Sequence, residues 1–141
     1  MKRLFVAAIA GFCCLPAIAA PTPASVRSEI DALLSSLQSS GCQFNRNGSW
    51  FSGSEARDHL LRKLEYIERR DGVQSTEQFV ELAASRSSLS DRDYQVRCDG
   101  QAPEASQIWL IRRLAIIREA ANRSDAPASS LQSPVESPGL Q

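Results

Sequence analysis

The only histidine of the chain, His59, is followed by Lys63, Tyr66 and Arg70. Intervals of four, three and four place these side chains in one narrow sector of a helix. An imidazole that titrates near neutral pH, beside an ammonium that lowers its pKa, suits an anion-binding or acid–base face. The plainer alternative is a solvated helix flank on which Tyr66 is half-buried. Ser85, Ser87, Ser88 and Ser90 offer hydroxyls that His59 can activate, provided they touch it and an acid orients the ring. Asp58 stands about 100° around the helix from its neighbour and cannot be that acid. No Gly-x-Ser-x-Gly elbow occurs, and the serine run reads better as a turn whose hydroxyls satisfy local backbone groups.

A second set of candidates lies upstream. Asn45-Arg46-Asn47-Gly48 is a turn signal, since Asn-Gly accepts the positive φ angles of a tight hairpin. Arg46 in that turn, with Trp50 and Phe51 close by, suits an edge that meets an anionic or aromatic partner. The alternative is a hairpin whose aromatic pair simply packs on the next helix. The candidate binding face is therefore Arg46, Asn47, His59, Lys63 and Tyr66, and no catalytic residue is assigned. Metal chemistry is poorly supported: Asp91, Asp93 and Asp99 lack the spacing of a calcium loop. Neither a metal nor a cofactor is expected.

The chain has 141 residues, 43% of them hydrophobic, with sixteen basic and sixteen acidic side chains. That suits one small domain and excludes a nucleic-acid binder of the usual basic kind. Lys2 and Arg3 precede an apolar run, Leu4 to Leu15, and Ala17-Ile18-Ala19 supplies small residues for cleavage after Ala19 or Ala20. This is the pattern of a secretory signal peptide. The run is too short for a core of about 30 Å, and Pro16 interrupts it, so no membrane span is expected after cleavage. A lipid anchor at Cys13 or Cys14 is disfavoured by Phe12, where a small residue belongs. The expected organisation is a signal peptide over 1–20, one globular domain over 21–123 and a disordered tail over 124–141.

Cleavage leaves fourteen basic and sixteen acidic residues, and only Cys42 and Cys98 among the cysteines. An even pair in an exported protein predicts one disulfide. Hydrophobic spacing predicts a helix after Ser25, with Val26, Ile30, Leu33, Leu34 and Leu37 on one side and Gly41 as its stop. A hairpin follows over Cys42–Phe44 and Ser49–Phe51. A second helix is expected over Glu55–Arg70, opened by Ser54. A third is expected from Ser75 or Thr76, with Ser75 and Gln78 at capping-box spacing and Phe79, Val80, Leu82 and Ala83 inward. Tyr94–Cys98 alternates as a strand, and a fourth helix covers about Glu104–Asn122. Its Arg112, Arg113 and Arg118 exclude a membrane span. Leu110, Leu114 and Ile117 face one way; Trp109 and Ile116 face another, so the helix is expected to be sandwiched between the sheet and the first helix, the alternative being that Trp109 and Ile116 form a contact surface for a second chain. The order α-β-β-α-α-β-α, with the disulfide tying first strand to last, implies an α+β fold with about three antiparallel strands and about four helices.

Several motifs together resemble one family. Phe44-x-Arg46-Asn47-Gly48 is followed by Glu55-Ala56-x-x-His59-Leu60-x-x-Lys63, then Thr76-Glu77-Gln78-Phe79-Val80. Ala83-Ala84-Ser85-x-Ser87-Ser88-x-Ser90 and Tyr94-x-Val96 complete the series. Over roughly Val26 to Ile117 the chain resembles the YfeK-like small exported bacterial proteins, a domain of unknown function. That resemblance implies a periplasmic location but no reaction, ligand or catalytic residue. Many members carry glycine after the serine run, where this chain has Asp91, and relatives lacking the cysteine pair make the disulfide a local staple.

These readings converge on a periplasmic, non-enzymatic binding or interaction module whose partner is a protein or an envelope component. The alternative is a small hydrolase or transferase using His59 with a serine of the 85–90 run.

Overall fold

Helix α1, Ala24–Gln38, buries Ile30, Leu33, Leu34 and Leu37, the stripe that its spacing predicts. It starts ahead of the expected Ser25 cap. Pro23 precedes it with no side-chain cap, and the Arg27 amide donates to the Pro23 carbonyl at 2.9 Å. The computed structural model describes residues 20–125. The expected signal peptide up to Ala19, and the expected tail from 126 onward, lie outside them.

Strands β1, Gln43–Arg46, and β2, Ser49–Ser52, form the predicted hairpin. Asn47 (φ 55°) and Gly48 (φ 90°) turn the chain, the paired positive values of a type I′ turn. Helix α2, Gly53–Glu68, is capped by Ser52 rather than Ser54. The Glu55 amide donates to the Ser52 hydroxyl, and the Glu55 carboxylate accepts from the Ser52 amide at 2.9 Å. Ser52-x-x-Glu55 has the reciprocal capping spacing, which Ser54 cannot offer. A side chain at Gly53 would lie 2.5 Å from the Leu37 carbonyl, so this glycine lets the start of α2 meet the end of α1.

Helix α3, Thr76–Phe79, is a single turn capped by Ser75, which accepts from the Gln78 amide. The Gln78 side chain completes no box, because it accepts from the Gln74 amide instead. The chain then widens into a π-helical turn, Val80–Ala84. Phe79, Val80, Ala83 and Ala84 are buried, whereas Leu82, expected inside, is 50% exposed.

Strand β3, Gln95–Arg97, pairs with β1, and a fourth strand, β4, Glu104–Ala105, pairs with β3. The sheet order is β2-β1-β3-β4, antiparallel throughout. Two residues are too few to show a period of two, so β4 was hidden in the expected helix start. Helix α4, Ser106–Asp125, packs on α1, the π-helical turn, β3 and β4. No helix among the described residues is long and apolar enough to cross a membrane.

Cys42 and Cys98 are bonded, with Cα atoms 4.3 Å apart. The register Gln43↔Arg97 places the two cysteines opposite each other at one end of the β1–β3 pair. The link therefore joins the first strand to the third, not to the last. Arg118 closes the helical side: its guanidinium donates to Glu29 on α1 at 2.6 Å and to Glu77 on α3 at 2.5 Å. The fold is α+β, as predicted, with four strands instead of three.

Candidate functional site

Arg46 ends β1, pairs with Ser49 across the turn and reaches over to α2. Its Nη1 lies 2.6 Å from His59 Nδ1. A guanidinium only donates, so Nδ1 is the acceptor and Nε2 carries the ring proton. Nε2 then donates to Tyr94 Oη at 3.2 Å. The result is a directed chain, Arg46 to His59 to Tyr94, spanning hairpin, helix and the entry to β3.

The electrostatics follow from the neighbours. His59 is held below its ordinary value of 6.5, at about 4, first by burial and then by the positive charges of Arg46, Lys63 and Arg62. The imidazole is therefore neutral at pH 7, and its role is that of a hydrogen-bond link. Burial raises the Tyr94 phenol, with Arg46 and the Ser87 hydroxyl opposing. The Lys63 ammonium is lowered by burial and by Arg46. It stands 5.3 Å from the centre of the Tyr94 ring and donates to the Ala83 carbonyl at 2.6 Å and to that of Arg86 at 3.4 Å. Lys63 thus holds the end of the π-helical turn, where free carbonyls gather.

Beside this chain lies a cavity of about 250 Å³, lined by the apolar Leu37, Phe44, Phe51 and Leu60 and by Arg46, His59 and Tyr94. The Arg46 guanidinium also lies 4.8 Å from the centre of the Phe51 ring. No carboxylate among the described residues comes within 4.0 Å of Arg46, Arg62 or Lys63. Glu55, on the rim, is occupied with Ser52, and Asp58 lies 3.7 Å from Arg57.

Of the residues singled out from sequence, Arg46, His59 and Lys63 meet around Tyr94. Asn47 does not line the cavity. Its side-chain oxygen accepts from the Ser90 hydroxyl at 2.6 Å and ties the hairpin turn to the serine loop. Tyr66 is 52% exposed and accepts from Arg70 at 2.7 Å, farther along α2. Trp50 faces Arg97 instead of the cavity. Tyr94 was missed. Its signal was the alternation Tyr94, Val96, Cys98: an inward aromatic carrying a hydroxyl needs a buried polar partner.

The serine run is mostly local. Ser85 donates to the Glu81 carbonyl, and Ser87 accepts from the amides of Leu89 and Ser90. No hydrogen bond joins His59 to any of these hydroxyls among the described residues. Asp91 has φ 55°, the left-handed conformation that glycine adopts freely.

A search of curated proteins finds "Uncharacterized protein YfeK" of Salmonella typhimurium, 35% identical over 95 residues, which covers 67% of this chain and 77% of that protein. No solved structure matches the chain. The model of a family of unknown function, DUF5329, matches residues 24–118, which include every strand and the whole Arg46–His59–Tyr94 chain. The protein belongs to that family.

Proposed function

We propose that the protein is a non-enzymatic, periplasmic binding module that receives a small anionic group in the cavity beside Arg46. The observation that carries this reading is the guanidinium itself. It lines a largely apolar cavity, and its polar partner is a neutral imidazole rather than a carboxylate. An incoming carboxylate gains a charge-assisted bond there without displacing an ion pair. The cavity falls just below the usual range for small-molecule sites, about 300–1,000 Å³, which suits one ring or short chain with its acid group. The hydrolase alternative is weakened because Nδ1 accepts from Arg46 and Nε2 donates to Tyr94, leaving no ring nitrogen to take a serine proton.

Benzoate and benzyl alcohol are suitable probes, alike in shape and different in charge. In NMR titrations, benzoate is expected to shift resonances of Phe51, His59 and Tyr94 and to lose this effect in Arg46→Ala. Equal shifts with benzyl alcohol, or none with benzoate at millimolar concentration, would overturn the reading. Location is tested separately. The Lys2–Ala20 segment and the cystine support export, so mass spectrometry of a periplasmic fraction should find an N-terminus at Ala20 or Pro21. A full-length, membrane-bound product would refute it.

A further inference from the structure

A second depression, about 550 Å³, runs along α2 toward the turn before α3. His59 and Arg62 border both it and the first cavity, so the two form one groove beside the helix. Lys63, Tyr66, Arg70 and Leu82 continue the lining. The cations are spread along the groove and do not converge on one point, as they would for a single phosphate. Between them stand two apolar surfaces, Tyr66 and Leu82, each about half exposed at 52% and 50%. Acidic side chains are confined to the ends: Glu55 and Asp58 at the hairpin, Asp71 at the far turn.

We infer that this groove binds an extended acidic segment of another protein, in which carboxylates alternate with apolar side chains. His59 to Glu68, where α2 ends, spans nine helical steps, about 14 Å, and with Arg70 just beyond, this is the length of about five residues of extended chain. An extended peptide presents neighbouring side chains to opposite sides, so it can offer an acid to Arg62 or Arg70 and an apolar group to Tyr66 or Leu82 in turn. A uniformly charged polymer would meet the cations and leave Tyr66 and Leu82 unmatched. The inference rests on the reading of the Arg46 cavity as an anion site, which would take the leading carboxylate.

The test is to pan a random heptapeptide library on the folded, oxidised mature protein, beginning at Ala20 or Pro21, and measure the selected peptides by fluorescence anisotropy. Enrichment of Asp or Glu alternating with Leu or Phe is expected. Arg62→Ala and Arg70→Ala, both exposed changes, should each weaken binding about tenfold, as should glutamine in place of the peptide's glutamates. Peptides that depend on Arg46 but tolerate Arg62→Ala and Arg70→Ala overturn the groove and leave the cavity reading standing. Indifference to all three arginines overturns both. Equal displacement by an all-glutamate peptide or polyphosphate reassigns the groove to a polyanion, and a library without acidic enrichment refutes the inference outright.

Discussion

His59 is a neutral relay because it is partly buried and three cations surround it, and that has a cost in acid. The folded ring takes a proton only near pH 4, against an ordinary value of 6.5. Between those values the unfolded chain binds the extra proton, so stability falls as pH drops from 6.5 toward 4. The loss by pH 4.5 should be about 1–2 kcal/mol, allowing for solvent screening of a partly exposed ring. Glu29 and Glu77 do not confuse this window. Arg118 holds both below their ordinary 4.5, so their contribution is lost only in stronger acid. Denaturation curves for His59→Gln should be flatter between pH 6.5 and 4.5; parallel wild-type and variant profiles would contradict the assignment. At this scale the sequence was half legible. The helical spacing of His59 and Lys63 can be read directly, as can the aromatic company of Arg46. That Arg46 meets His59 depends on the hairpin folding back over α2, which no local pattern records.

Among the elements, α4 divides its apolar residues unevenly. Trp109 is 5% exposed and meets Phe44 of β1 edge-on, with ring centres 5.6 Å apart. Ile116, seven residues on and on the same side, is 52% exposed. The reason is length: a helix of 20 residues runs about 30 Å, whereas strands of four residues cover about 13 Å. The sheet therefore covers Trp109 and ends before Ile116. Trp109→Ala should cost about 3–5 kcal/mol, and Ile116→Ala less than about 1 kcal/mol, by urea denaturation. Similar losses for both would mean that Ile116 is covered after all. Periodicity revealed the helices because each buries a stripe, and it placed the hairpin because Asn47-Gly48 is local chemistry. It could not reveal the π-helical turn, since Thr76, Phe79, Val80, Ala83 and Ala84 keep ordinary α-helical spacing.

For the molecule as a whole, the cystine restrains a chain that is otherwise held by one small core. Its half-cystines are 56 residues apart, and closing such a loop stabilises the fold by about 4 kcal/mol at most. Reduction should lower the thermal midpoint by about 10 °C or more; a reduced protein that melts with the oxidised one would show that the link contributes little. The cysteine pair was legible because its pairing is forced once only two cysteines remain. Its position at the end of β1 and β3 was not, because strand order depends on packing across the whole chain.

That position also sets how the molecule responds to pulling. Arg46, His59, Lys63 and Tyr94 all lie between Cys42 and Cys98. Tension applied at the two chain ends passes from one side of the cystine to the other and bypasses the enclosed segment. Only the flanking stretches, including α1 and α4, can be drawn out, and the covalent ring around the site keeps its length. In force spectroscopy the oxidised chain should extend short of its full contour, with reductant releasing about 190 Å more. A protease cut within the ring would leave both fragments joined, so the site would be shielded from tension and from loss by a single cut for as long as the disulfide stays oxidised.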